Sequence, residues 1–237
     1  MLVTKCTCGS KIKYFTYRNI NGVPTKKCLS CGVIHQQVSM NEEAYQDFYA
    51  NHYHVEHQQS IGRESYIVRY EHDLQVARQR LSTYGISEKG LRVLDVGCGN
   101  GAFVAACREL GMESYGIDLG TITDNPYVLT GRSLLDTKLP VDKFSLVTLH
   151  DVLEHLVDPT AYLTKIKSLL EDNGKLIVDY PRYFHPAGRH HWRTLEHLWY
   201  HTTGQLISLL ENYGFDTIRL DIPIPSKIVV YSELKGS

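Results

Sequence analysis

The run Leu91-Arg-Val-Leu-Asp-Val-Gly-Cys-Gly-Asn-Gly101 constrains this chain more than any other stretch. A buried strand over Val93 to Val96 breaks into a turn with glycine at 97, 99 and 101. A helix then opens at about Ala102 and runs through Phe103, Ala106 and Leu110 to a stop at Gly111. Glycines at this spacing let the backbone turn sharply and let a ligand approach the main chain. The helix start offers unpaired N–H donors to that ligand.

Gly97, Gly99 and Ala102 also satisfy the looser dinucleotide fingerprint, with Asp118 at the distance of its ribose-binding acid. Asp95, just before the first glycine, argues against that reading. A carboxylate there repels a pyrophosphate and suits a ligand carrying an ammonium group. Further motifs follow in order: Tyr115-Gly-Ile-Asp118, the run Phe144 to Pro159 containing His150-Asp-Val-Leu-Glu-His155, and Asn173-Gly-Lys-Leu-Ile-Val-Asp-Tyr-Pro181. Together, over roughly residues 60 to 235, they resemble the class I methyltransferases that use S-adenosylmethionine (SAM). The order from Leu91 is strand, helix, strand, loop, strand, helix, strand, a long loop, a helix over Gly204 to Asn212 and two last strands, Phe215 to Ile222 and Lys227 to Leu234. That alternation implies an α/β fold, a Rossmann-like, doubly wound and mostly parallel sheet. The last two strands supply the antiparallel edge usual in the family. The helix after Asp158-Pro159 carries Tyr162, Leu163, Ile166, Leu169 and Leu170, with Asn173-Gly174 as its stop.

The resemblance implies roles. Asp95 contacts the amino acid part of SAM, and Gly97, Gly99 and Gly101 pass beside it with Cys98 touching cofactor. Asp118 holds the ribose, Leu119 covers the adenine, and Thr148 to His150 flank the sulfonium. Where the family often places an acid near adenine, this chain reads Thr130-Gly-Arg-Ser-Leu-Leu135, leaving Ser133 as the candidate contact. An oxygen acceptor must lose a proton, and a histidine near neutral pKa suits that. His150 is the candidate base, His197 and His155 are further catalytic candidates, and His190, His191 and His201 lie in the same histidine-rich region. A sharper pattern is Asp151-x-x-Glu154-His155 with His197 later. The ubiquinone-pathway O-methyltransferases and small-RNA ribose O-methyltransferases hold a divalent metal with a Glu-x-x-Glu-His run there. A second metal at Asp151, Glu154, His155 and His197 would lower the acceptor's pKa. Asp at the first position shortens its reach, and in relatives without metal Glu154 and His155 brace the loop.

Cys6, Cys8, Cys28 and Cys31 form C-x-C-x19-C-x2-C, with Gly9 and Gly32 after the two pairs. Thiolates followed by glycine make the knuckles of a zinc ribbon, a closed tetrahedral site whose role is structural. The first pair is one residue shorter than usual. Unrelated free cysteines are the alternative. Six cysteines in all, without a secretion signal, point to a reducing, cytoplasmic setting.

The reading divides the chain into a ribbon (1–38), a helical cap or linker (39–88) and a SAM-binding domain (89–237). Ser39 or Asn41 caps a first helix through Glu42, Glu43, Tyr45 and Phe48. A second starts at about Glu64 and carries Tyr66, Ile67, Tyr70, Leu74, Ala77 and Leu81. Apolar content of 43% supports an ordinary core, and no apolar run is long enough to span a bilayer. The net charge of −1 hides an asymmetry: residues 1 to 41 carry six Lys and Arg and no Asp or Glu, so the remainder sums to −7.

For the acceptor, the cap residues Tyr45, Tyr49, Tyr53, His54, Arg63, Tyr66 and Arg69 suit a sugar, a sugar nucleotide or a phenol. The loop Tyr180 to His201, aromatic and histidine-rich, is the candidate substrate loop. The ribbon resembles the N-terminal part of sugar methyltransferases; those that methylate carbon carry a further C-terminal domain, which favours oxygen here. Small-molecule O-methylation is the leading expectation. An RNA methyltransferase using the basic ribbon with Tyr14, Phe15 and Tyr17 is the first alternative. A non-catalytic SAM-binding protein is the second.

Overall fold

The computed structural model describes residues 5–10, 14–20, 22–37, 42–49, 63–120, 123–193 and 195–236, without the side chains of 20, 42, 46 and 63–68. The expected caps Ser39 and Asn41, and the cap side chains of Tyr53, His54, Arg63, Tyr66 and Ile67, lie outside the described residues. Among the described residues, no helix is long and apolar enough to cross a membrane.

In chain order the elements are β1 (Tyr14–Ile20), β2 (Val23–Cys28), β3 (Ile34–Gln36), α1 (Glu42–Phe48) and α2 (Arg63–Tyr84). Then come β4 (Arg92–Val96), α3 (Ala102–Glu109), β5 (Glu113–Asp118), β6 (Val128–Thr130) and β7 (Phe144–His150). The last are α4 (Pro159–Leu169), β8 (Leu170–Pro181), β9 (Trp199–Tyr200), α5 (Thr203–Asn212), β10 (Phe215–Asp221) and β11 (Lys227–Leu234). Short 3-10 turns cover Leu153–His155 and Pro186–His191.

Seven strands form one sheet in the order β10-β11-β8-β7-β4-β5-β6. β4 runs parallel to β5 and β7, and β5 to β6. β11 is antiparallel to β8, and β10 to β11, so the expected antiparallel pair stands at that edge with β10 outermost. This is the Rossmann-like order, with β4 at the centre of the parallel part.

The chain clusters into two compact units, one of Glu43–Leu149 with Leu169–Gly174, the other of Met1–Glu42, His150–Ser168 and Lys175–Ser237. In the first, Val93, Leu94, Val147 and Leu149 are buried on the strands, and Phe103, Val104 and Ala106 on α3. The Arg78 guanidinium on α2 grips the Glu109 carboxylate of α3 through two bonds of 2.7 Å. Asp73 of α2 accepts from Asn100 Nδ2 at 2.8 Å, so α2 also reaches the glycine turn.

The second unit holds a further sheet, β1-β2-β3-β9. Its last strand comes from the loop 180–201, far along the chain, with Ile34 opposite Tyr200 and His35 opposite Trp199. α5 opens on a capping box between Thr202 and Gln205. Asp158 Oδ1 accepts the N–H groups of Thr160 and Ala161 at 3.0 Å each and starts α4. That helix does not run to Asn173-Gly174 as expected. It ends at Leu169 and the strand begins at Leu170. Glu171 is drawn into the sheet by the Arg92 guanidinium and by the Ser145 hydroxyl, which donates to it at 2.9 Å. The apolar pair Leu169-Leu170 is buried in either conformation, so it carried no signal for the boundary.

Gly101 has φ +79°, and a Cβ there would lie 2.8 Å from Val128 Cγ2 and 2.9 Å from Asn125 Nδ2. Gly101→Ala is therefore expected to lower the unfolding free energy by about 1–3 kcal/mol, read as a shifted urea midpoint. An unchanged midpoint would contradict the assigned turn.

Candidate active site

The first unit builds a cofactor edge. Gly97, Gly99 and Gly101 all take positive φ, at 69°, 54° and 79°, so the turn needs glycine at each. Asp118 ends β5 and accepts the Gly99 N–H at 2.9 Å on one oxygen and the Gly120 N–H at 3.0 Å on the other. Those two bonds fix the carboxylate beside the turn. Asp95, buried, accepts from the Thr148 hydroxyl at 2.7 Å, which ties β4 to β7. Leu119 is half-buried. Ser133 Oγ accepts the Leu135 N–H at 3.2 Å, and Arg132 N–H reaches the Asp118 carbonyl at 3.3 Å, so this segment follows the end of β5. Cys98 faces β5: a Cβ on Gly116 would lie 2.5 Å from its sulfur. Burial, then the nearby Asp95 and Asp118 carboxylates, push its thiol pKa well up, so it is a neutral packing group.

The second unit holds two clusters of metal-ligand type. The four sulfurs of Cys6, Cys8, Cys28 and Cys31 lie within 4.8 Å of one another, and all are free thiols. The knuckles differ as their spacing requires. Gly32 N–H closes on the Cys28 carbonyl four residues back, and Gly9 N–H on the Cys6 carbonyl three back, both at 2.9 Å. The shorter pair is thus accommodated by a tighter turn, with positive φ at each glycine.

The other cluster is Glu154, His155 and His197, again with ligand atoms within 4.8 Å. Leu153–His155 follows directly on β7, whose last residue is His150, half-buried. Glu154 is fully buried, and among the described residues neither carboxylate oxygen has a hydrogen-bond partner. His155 Nε2 lies 4.0 Å from its carboxylate. Burial and then the Asp179 carboxylate raise its pKa well above the ordinary carboxylate range. The rings of His155 and His197 meet edge to face at 4.6 Å. His197 Nδ1 lies 2.8 Å from the Tyr183 hydroxyl. Burial, then the neighbouring His155, His191 and Arg193, lower its pKa to about 2. A histidine that stays neutral keeps a lone pair for a ligand's role but is a poor proton carrier.

Asp151 does not join this cluster. Its backbone is left-handed, at φ 56°, and its carboxylate pairs with Lys227. Spacing alone could not show that turn. His201, another histidine of the expected substrate loop, is a core residue. It is buried between the Thr7 hydroxyl, 3.1 Å from Nε2, and the Tyr180 hydroxyl, 2.8 Å from Nδ1, and burial lowers its pKa to about 3. Tyr183 was not singled out from sequence. The aromatic content of the stretch Tyr180 to His201 was the only signal for it.

Residues 66–220 match the sequence profile of a family described as a methyltransferase domain. The chain belongs to the SAM-dependent methyltransferases. A ubiquinone biosynthesis O-methyltransferase of Dinoroseobacter shibae is 28% identical over 178 residues, 62% of this chain. The match covers 66% of that relative, just under two thirds of its length. Among solved structures, the 1,6-didemethyltoxoflavin-N1-methyltransferase of Burkholderia thailandensis, with 1,6-didemethyltoxoflavin and S-adenosylhomocysteine bound, is similar at a TM-score of 0.60. It is 14% identical, over 93% of this chain and 99% of its own. The magnesium protoporphyrin IX methyltransferase of Synechocystis PCC 6803, with S-adenosylhomocysteine bound, gives 0.57 over 82% of this chain and 100% of its own, at 16% identity. These two likenesses are of fold.

Asp118→Ala is expected to weaken SAM binding about tenfold or more in a calorimetric titration, the loss of charge-assisted hydrogen bonds. Unchanged affinity would displace Asp118 from the site. A second expectation concerns pH. His191, His197 and His201 have folded pKa values lowered to about 4, 2 and 3 from 6.5. Between those values and 6.5 the unfolded chain binds protons that the folded chain refuses. The contribution of these histidines to stability is therefore fullest above pH 6.5 and falls as the solution is acidified. Urea midpoints should drop on acidification through this range, with His201→Gln removing part of the slope. A flat profile would contradict the assigned burial.

Proposed function

We propose that this methyltransferase methylates an oxygen of a small molecule, with a divalent cation held by Glu154, His155 and His197. The observation that carries the reading is the Glu154 carboxylate, buried without a hydrogen-bond partner beside two imidazoles. A buried carboxylate in that position fits a cation. Tyr183 holds the second nitrogen of His197, as the outer partner of a ligating imidazole does. The printed name of the Dinoroseobacter relative supports oxygen as the acceptor atom and a small molecule as its carrier.

SAM supplies an electrophilic methyl group on its sulfonium. A bound divalent cation would act as a Lewis acid that lowers the pKa of the acceptor hydroxyl. The chain's own residues orient and move the proton. Asp118 takes the ribose hydroxyls, Asp95 the ammonium end, and the glycine turn admits the amino acid part of SAM. Leu119 lies along the adenine and Ser133 beside it. His150, at the carboxyl end of β7, accepts the acceptor's proton. The S–C bond breaks as the O–C bond forms, and the rest is alignment. The four cysteines hold a structural Zn²⁺, which a four-thiol donor set of this spread suits. Two ribbon cations are engaged by rings, Arg18 over Trp192 at 3.9 Å and Lys26 over Tyr14 at 4.1 Å, which favours a small acceptor over RNA.

Assays with isotopically labelled SAM across phenols, sugars, sugar nucleotides and RNA test this reading. Turnover of a small hydroxylated acceptor should fall about tenfold or more after EDTA treatment and return with Mg²⁺ or Mn²⁺. Glu154→Gln should reproduce the loss while leaving SAM affinity intact. Full activity in metal-free buffer would refute the cation. Methyl transfer to RNA alone would refute the acceptor class.

A further inference from the structure

Gln36, the last residue of β3, is fully buried, and both ends of its amide are used. Oε1 accepts the Leu195 N–H at 2.9 Å. Nε2 donates to the Arg193 carbonyl and to the Tyr200 hydroxyl. That hydroxyl donates in turn to the Arg193 carbonyl at 3.0 Å. The Gln36 backbone N–H donates to the Leu198 carbonyl at 2.8 Å. One ribbon residue thus grips the chain at 193, 195, 198 and 200, on both sides of His197.

The grip falls where the backbone needs it. Leu195 has φ +63°, a region that leucine avoids. Such a conformation costs on the order of 1 kcal/mol or more and persists only where its surroundings over-determine it. Gln36 Oε1 is the acceptor for that residue's N–H. Three residues on, the Leu198 N–H donates to the Glu154 carbonyl at 2.8 Å, so the same stretch is tied to the second cluster's carboxylate residue. The ribbon adds parallel ties. The Arg18 guanidinium lies 3.9 Å over Trp192, which stacks on Tyr200 at 4.3 Å and donates from Nε1 to the Tyr183 carbonyl at 2.9 Å. Gln205 Nε2 donates to the Cys31 carbonyl at 2.9 Å.

We propose that Gln36 is a positioning residue through which the cysteine ribbon sets the backbone that brings His197 to Glu154 and His155. The ribbon is then a brace for the second cluster. The proposal rests on reading that cluster as a cation site. No atom of Gln36 touches the cation; it acts through the Leu195 to Tyr200 backbone.

The test uses the full zinc-loaded chain, wild type against Gln36→Met, with Tyr200→Phe as a milder variant. Three quantities are read: Co²⁺ affinity from its visible absorption bands, amide hydrogen exchange over residues 193–200, and SAM affinity. Gln36→Met should weaken Co²⁺ binding by roughly tenfold or more, the scale of losing an outer partner of a metal ligand. It should also speed exchange at the Leu195 and Leu198 amides and leave SAM affinity unchanged. Tyr200→Phe should move the first two in the same direction by less. Unchanged Co²⁺ affinity and exchange in Gln36→Met, or in Tyr200→Phe where the former does not fold, would overturn the proposal. A wild-type chain that binds no second Co²⁺ would refute the cation reading instead, and exchange would still report on the brace.

Discussion

A carboxylate taken out of water must be protonated, paired or matched by a cation, because bare burial of its charge costs several kcal/mol or more. Glu154 stands under that constraint. It is fully buried, and no described group donates to either oxygen. Its surroundings are built to keep it there. The Leu198 N–H holds its carbonyl, and the rings of His155 and His197 converge on its side chain. A purely structural glutamate at this place would be better replaced by an apolar residue, which would bury the same volume at lower cost. The proposed cation would offset that cost.

The donor half of the enzyme answers to a different constraint. SAM must meet the main chain closely, and only a turn that visits the left-handed region three times in five residues clears the way. Asp118 then serves twice. Its oxygens receive the Gly99 and Gly120 N–H groups, which shapes the turn, and in the proposed mechanism it also meets the ribose. Asp95, held by Thr148, does the corresponding work one strand over. In the proposed mechanism the donor is positioned by backbone geometry and two buried acids, all within one compact unit.

Much of this was legible in the chain itself. The strand-glycine-helix run, the spacing to Asp118 and the last strand pair are local or periodic signals, and the folded chain shows them in place. What escaped was non-local. The strand Trp199–Tyr200 is two residues long and exists because β3 pairs with it, a partner more than 160 residues earlier. Asp151 carries the right chemistry for a ligand, yet its φ of 56° and the Lys227 partner turn it elsewhere. His201 looked like its neighbours in a histidine-rich loop, but its contacts with Thr7 and Tyr180 make it a core residue. Side-chain direction and long-range pairing decide such cases, and neither is written in residue spacing.

The central claim is that two different metal sites serve this methyltransferase, one of four thiolates and one of Glu154, His155 and His197. Anomalous diffraction from crystals grown with S-adenosylhomocysteine, Zn²⁺ and Mn²⁺ tests it most directly. The account predicts a zinc-edge peak among Cys6, Cys8, Cys28 and Cys31, and a separate manganese-edge peak at Glu154, His155 and His197. A map with metal at the cysteines alone, and Glu154 bonded to protein or water instead, would contradict it.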